Sequence, residues 1–281
     1  WTLDEFKHIF TSELANQVDM VYFCGNYGDP IMNDDLPMMC KHLTDINPNI
    51  TIRIHTNGGA RSTKWWTELY NSLPVNHLVC WGIDGLEDTN HIYRIGVNYD
   101  ILMRNAKHFI ELGGKSEWVF IKFKHNEHQA QLVEQRSKEL GFSSFSMKNT
   151  TRFVGENRYS VLDDKGNVLY YLEPPSDNQV TFVTVDQIKR VGELVKDVSI
   201  SCYVQNTKEI YIDAHKHVFP CCFLSSTPYN YQNPQPSPNT YQEYVYNFHT
   251  KAREQYSELV FKLGGLEKLS ALNYTVKDII D

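Results

Sequence analysis

The chain has 281 residues, 41% hydrophobic and 22% charged, with 34 acidic against 27 basic side chains and a net charge of −7. That composition gives a globular chain with ample material for a core and excludes a collagen-like or disordered one. No apolar run reaches the roughly 18 residues that cross a bilayer, and an acidic balance without clustered Lys and Arg argues against a membrane or nucleic acid as partner.

Taken in chain order, Thr2-Leu3-Asp4-Glu5 reads as a helix start, with Thr2 as N-cap and Glu5 at the capping-box position. Leu3, Phe6, Ile9, Phe10 and Leu14 continue it at helical spacing. The first residue is Trp1 rather than Met, so the chain is expected to lack its beginning. Apolar runs near 19–24, 50–55, 77–83, 117–123 and 143–148 predict strands. Between them, helices are predicted near 34–46, after Ser62 with Trp65, Trp66, Leu69 and Tyr70, near 99–112 and near 128–140, the last two closed by glycines. Such alternation implies parallel strands with helical crossovers, hence a barrel or a doubly wound sheet.

From about residue 150 the rhythm changes. Residues 161–172 read as a hairpin around Asp164-Lys165-Gly166-Asn167, 174–177 as a linker, 184–196 as a helix, and 209–214 with 218–223 as a second hairpin. A loop rich in Pro, Asn, Ser and Tyr over 226–240 precedes helices in the tail. Residues 1–155 are therefore taken as the barrel part and 156–281 as an appended domain.

Three glycine-bearing polar segments each follow one of the first three predicted strands: Gly25-Asn26-Tyr27-Gly28-Asp29-Pro30, Thr56-Asn57-Gly58-Gly59 and Asp84-Gly85. Glycine at a strand's carboxyl end lets backbone amides approach a ligand, and Asn, Asp and Thr beside it supply hydrogen bonds. In barrels and doubly wound sheets alike, ligands sit at those strand ends. Each segment alone is an ordinary turn sequence; their joint placement points to one small-molecule site. Asp84 has a competing reading as the cap of the turn that follows it.

Six cysteines in a chain without a signal-peptide pattern do not suggest a disulfide framework and point to the cytosol. Cys24, Cys40 and Cys80 lie in predicted strands or helices and read as small buried hydrophobes. Cys202, Cys221 and Cys222, flanking the second hairpin with His215 and His217 in its turn, are candidate metal ligands for an iron–sulfur cluster or zinc, with no metal as the alternative. His125 and His128 find no completing ligand, and Asn126 between them reads as a helix cap. The Trp65-Trp66 and Phe109-Ile110 pairs read as core.

Together these segments resemble the radical S-adenosylmethionine (SAM) enzymes with a SPASM or twitch-type C-terminal domain. Gly25-Asn26-Tyr27-Gly28-Asp29-Pro30 stands where that family holds the SAM amino group, with Asp29 facing the ammonium. Thr56-Asn57-Gly58-Gly59 matches the motif beside the methionyl and ribose moieties. The longest match is Gly82-Ile83-Asp84-Gly85 followed by Asn90-His91, Tyr93-Arg94 and Asn98-Tyr99-Asp100, in which Gly82 replaces a usual Ser and Arg94 is available to the SAM carboxylate. The block 120–129 looks like a signature of a subgroup carrying such a C-terminal domain, and Cys202, Cys221 and Cys222 resemble twitch ligands for an auxiliary cluster.

The resemblance implies a partial (β/α)6 TIM-like barrel with a small α/β C-terminal domain. It also implies reductive SAM cleavage by a 4Fe-4S cluster, giving a 5′-deoxyadenosyl radical that abstracts hydrogen from a peptide or small-molecule substrate, with flavodoxin or ferredoxin as electron donor. The departure is the CxxxCxxC cluster loop, which this sequence does not contain. A chain truncated before its first helix accounts for that, and the fragment is then expected to bind SAM weakly without cleaving it. The alternative is a noncatalytic metal- or peptide-binding module on a degenerate barrel. An acid–base enzyme acting on a phosphorylated metabolite would need a late phosphate-binding turn that is not found.

Overall fold

In the computed structural model, residues 1–25, 28–150, 153, 158–163, 165–177, 202–225 and 254–280 are described. The helix expected near 184–196 and the loop over 226–240 lie outside them. The chain divides into two compact units, Thr2–Phe182 and Val183–Asp281 with Trp1.

The first unit is a five-stranded parallel sheet in strict sequential order: β1 (Met20–Phe23), β2 (Thr51–Thr56), β3 (His77–Gly82), β4 (Ser116–Ile121) and β5 (Ser144–Lys148). Helices α1 (Leu3–Ile9) and α2 (Ser12–Gln17) precede β1, and α3 (Leu36–Ile46), α4 (Thr63–Ser72), α5 (Asn90–Tyr93) with α6 (Tyr99–Glu111), and α7 (Ala130–Glu139) fill the crossovers. The predicted strands and helices of this unit are present with ends shifted by a residue or two, except that the helix expected to run from Leu3 to Leu14 breaks at Phe10, where Thr11 caps a second helix. The expected capping box is formed, Thr2 accepting from the Glu5 amide while Glu5 accepts from the Thr2 amide. Sequential order with helical crossovers of one hand puts the helices on one face of the sheet, which is the layout of a partial TIM-like barrel.

Alternation along the strands then sets two environments. Ile52 and Ile54, Val79 and Trp81, and Trp118 and Phe120 are buried under the helices, where Trp66 of α4 packs on Trp81 with ring centroids 4.7 Å apart and on Phe109 of α6 at 5.9 Å. Trp65 is only half-buried, beneath the Arg61 guanidinium. The opposite, inner face carries Tyr22, Arg53, His55, Cys80, Glu117 and Ser146, a polar set on a sheet whose other side is almost wholly apolar.

The hairpin of β6 (Tyr159–Leu162) and β7 (Val168–Leu172) was expected in the appended domain, yet it packs within the first unit. Val161 and Leu172 form a buried cluster with Phe123 and Phe153, and the Tyr170 hydroxyl donates to the Ile92 carbonyl at 2.7 Å. Apolar alternation in a short hairpin says that it needs a surface to cover; it does not say which.

The second unit holds the predicted second hairpin, β8 (Tyr211–Ile212) with β9 (Val218–Phe219), between short helices at Tyr203–Thr207 and Cys222–Ser225. Its turn is closed by the Asp213 carboxylate, which accepts from the His215 and His217 amides at 2.8 and 2.9 Å. Lys216 sits at φ +68°, a left-handed position where a glycine is the usual residue. No described helix is long and apolar enough to cross a membrane.

Candidate functional site

The three strand-end turns emerge side by side, because β1, β2 and β3 are neighbours and parallel. Asp29 joins the first two. Its Oδ2 accepts from the Asn57 amide at 2.7 Å and its Oδ1 from the Ile31 amide at 3.2 Å, so one carboxylate fixes both the loop after β1 and the turn after β2. Thr56 Oγ1 accepts from the Gly58 amide and Asn57 Oδ1 from the Gly59 amide, each at 2.9 Å. Asn105 of α6 donates to the Gly58 and Ala60 carbonyls at 2.9 and 2.8 Å.

Gly58 is required here. Its φ is +68°, and a Cβ would lie 2.6 Å from the Trp81 ring and 2.7 Å from Leu102. Arg61 tightens the same corner, donating through Nε to the Ile31 carbonyl at 2.5 Å and pairing with Asp34. Gly25 and Gly28 flank this loop, whereas Asn26 and Tyr27 lie outside the described residues.

Asp84 has a different use from the cofactor contact expected of it. It is fully buried; one oxygen takes the Arg94 Nε at 2.6 Å and the other the Ile121 amide at 2.5 Å. A carboxylate enclosed and engaged in this way offers a ligand no face, so its part is to hold Arg94 and tie the loop after β3 to the end of β4. Gly82, where a serine was noted as usual, makes room for Arg94: a Cβ there would meet the guanidinium Nη2 at 2.5 Å. Arg94 remains 23% exposed in its side chain and keeps nitrogens beyond the one given to Asp84.

Asn126 does not cap the next helix as expected. Buried completely, it donates to the Asp84 and Ile121 carbonyls at 2.8 and 2.9 Å and accepts from the Phe123 amide at 2.7 Å. Asn90 completes this lattice by accepting from the Asp84 amide at 2.9 Å. Ile121 and Phe123 are near neighbours in the chain, whereas nothing in the local sequence marks Asn126 for the bond to Asp84, which follows another strand.

Sequence reasoning also missed the inner-face cluster. Cys80 donates to Glu117 at 3.2 Å, Arg53 Nη2 lies 3.4 Å from the same carboxylate oxygen, and the Tyr22 hydroxyl stands 3.0 Å from His55 Nδ1. Period-two alternation of charged and polar residues with Ile52, Ile54, Trp81 and Trp118 was the available signal. Burial pushes the Cys80 thiol up to about 11, with Glu117 adding to it, and the Tyr22 phenol up to about 12. His55 is pushed down to about 4, first by burial and then by the positive charges of Lys148 and Arg94.

An unfolded histidine takes its proton near about 6.5, whereas folded His55 resists until near 4. Between those values the unfolded chain binds more protons, so this group's contribution to stability is full above the upper value and is lost as pH falls toward the lower one. His55→Gln is expected to flatten the decline in stability between pH 7.5 and 5, read as denaturation midpoints; an unchanged slope would contradict this assignment.

In the second unit, Cys202 stands at the start of the helix Tyr203–Thr207 and Cys221 and Cys222 at that of Cys222–Ser225, and none of the three is in a disulfide. Among the described residues no group of three or more His, Cys, Asp or Glu side chains is placed to hold a metal ion. Cys40 and Cys80 are buried as expected, whereas Cys24 is only half-buried.

No protein-family model and no curated protein matches the sequence. Among solved structures, the chain is similar to Streptococcus suis SuiB, at 17% identity and TM-score 0.50 over 82% of this chain and 56% of SuiB. It is similar to SuiB bound to S-adenosylmethionine at 16% identity and the same TM-score, over 82% and 55%. Coproporphyrinogen III oxidase (HemN) from Escherichia coli, described as a radical SAM enzyme, aligns at 12% identity and TM-score 0.43 over 68% and 43%. The chain thus spans little more than half the length of SuiB, and what it shares with SuiB is the fold, an α/β partial barrel of parallel strands.

Proposed function

We propose that this chain is the SAM-binding barrel of a radical SAM enzyme, with its second unit in the place of a SPASM or twitch-type domain. The observation that carries the reading is the junction at Asp29, which ties the turns after β1 and β2 together, with Arg94 held by Asp84 beyond the next strand, β3. The donor set suits the ligand: a carboxylate and backbone carbonyls for its ammonium, a guanidinium for its carboxylate, and Thr56 and Asn57 for its hydroxyls. The shared fold with SAM-bound SuiB supports it.

When bound beside a reduced 4Fe-4S cluster, SAM would supply a 5′-deoxyadenosyl radical for hydrogen abstraction from a peptide or small molecule, with flavodoxin or ferredoxin as electron source. The chain's own contribution is to orient the methionyl group at the strand ends and to shield it from water. No CxxxCxxC occurs in the sequence, and no step is assigned to a metal at Cys202, Cys221 or Cys222. SuiB has also been determined with its precursor peptide SuiA, and a peptide substrate belongs to the reading on that account.

Calorimetric titration tests it. The chain is expected to bind SAM, and Asp29→Ala to weaken it by about 10-fold or more, the loss of one charge-assisted hydrogen bond being about 1.5–3 kcal/mol. A wild-type chain with no affinity for SAM would leave the alternative, a noncatalytic module on the same scaffold.

A further inference from the structure

Arg53 is short of partners. A guanidinium carries five N–H donors, yet Arg53 is given one carboxylate oxygen at 3.4 Å, a thiol sulfur at 3.7 Å, the Tyr22 ring at 5.9 Å, and nothing at Nε among the described residues. A charge-assisted N–H···O bond is ordinarily about 2.7–2.9 Å, so Glu117 neutralises this cation only in part. The Arg53 side chain nevertheless stays 40% exposed on the inner face, while Glu117 beneath it is 15% exposed. What this face offers a ligand is therefore the cation and not the anion.

The neighbours point the same way. Lys148 ends β5 on the inner face, in register with Ile121 of β4, and its charge reaches His55 together with those of Arg94 and Arg53. His55 adds no charge of its own at neutral pH. The Tyr22 hydroxyl and His55 Nδ1, 3.0 Å apart, share one hydrogen bond in either direction. Ser146 of β5 has a buried hydroxyl without a partner among the described residues. In a chain of net charge −7, the described strand residues of this face include Arg53 and Lys148 against one acid, Glu117.

We propose that the inner face selects a substrate carrying a carboxylate, such as a Glu or Asp side chain, and seats that carboxylate on Arg53. The proposal rests on the reading that the strand-end rim above this face is the SAM site. It goes beyond that reading by naming the substrate group and the residue that discriminates it.

The test uses the full chain and two probes, N-acetylglutamate methylamide and its glutamine counterpart, titrated while the Arg53 Nε–H resonance is followed by NMR. The glutamate probe is expected to shift that resonance saturably and to bind at least 10-fold more tightly than the glutamine probe. Arg53→Gln is expected to abolish the preference and Arg53→Lys to keep part of it. Equal binding of the two probes by the wild-type chain overturns the proposal whatever the variants do.

SAM carries a carboxylate too, and a second arm separates the sources. Saturating SAM is expected to leave the affinity for the glutamate probe unchanged, and Arg53→Gln to bind SAM as the wild type does. Competition between SAM and the probe, with SAM affinity falling in Arg53→Gln, would make Arg53 a SAM contact and overturn the substrate assignment. A chain that takes the glutamate probe but no SAM would sink the cofactor reading and leave the carboxylate site standing.

Discussion

Asp84→Ala is expected to lower the unfolding free energy by about 3–5 kcal/mol, the usual cost of deleting one member of a buried ion pair. Three losses coincide at this position. Arg94 keeps its charge in a half-buried place without its 2.6 Å partner, the Ile121 amide loses its acceptor, and the link between the loop after β3 and β4 opens. Asp84→Asn retains an acceptor for Ile121 and should cost clearly less. In Asp84→Ala/Arg94→Met, where no stranded cation is left, part of the loss should return. Denaturant unfolding at neutral pH checks all three, and an Asp84→Ala protein as stable as the wild type would show that the pair is not what holds this corner.

Trp81→Ala is expected to cost a comparable amount, about 3–5 kcal/mol, as for other large-to-small changes in a closed core. Trp81 is fully buried between Trp66 and Phe109, and its indole N–H donates to Ser116 at 3.1 Å. Its ring is also the floor under Gly58. The turn after β2 therefore rests on the core, and the same substitution should weaken SAM binding although Trp81 is not proposed to touch SAM. Trp118→Ala, equally buried but on β4, one strand further from the turn after β2, serves as the comparison. It should lose stability while keeping more of the affinity.

The fold was legible because its signals are local. Strand and helix patterns alternate without interruption from Met20 to Lys148, and caps such as Thr2 and Ser62 sit where their hydrogen bonds form. The site was legible in part. Glycine turns mark the ends of three successive strands, but the sequence could not say which carboxylate would be enclosed. Asp29 and Asp84 look alike in their turns; the difference is that Arg94 and the Ile121 amide close around Asp84, and both belong to other elements.

Asn126 and the inner-face cluster were missed for the same reason. Cys80, Arg53 and Glu117 lie far apart in sequence, and only strand register brings them together.

The central claim is that the ends of adjacent parallel strands form one SAM-binding rim. A crystal structure of the chain grown with SAM tests it most directly. The account expects the methionyl group against Asp29 and the turn 56–59, with its carboxylate toward Arg94, at the carboxyl ends of β1 to β3. SAM seated away from those strand ends, or its absence at saturating concentration, would contradict it.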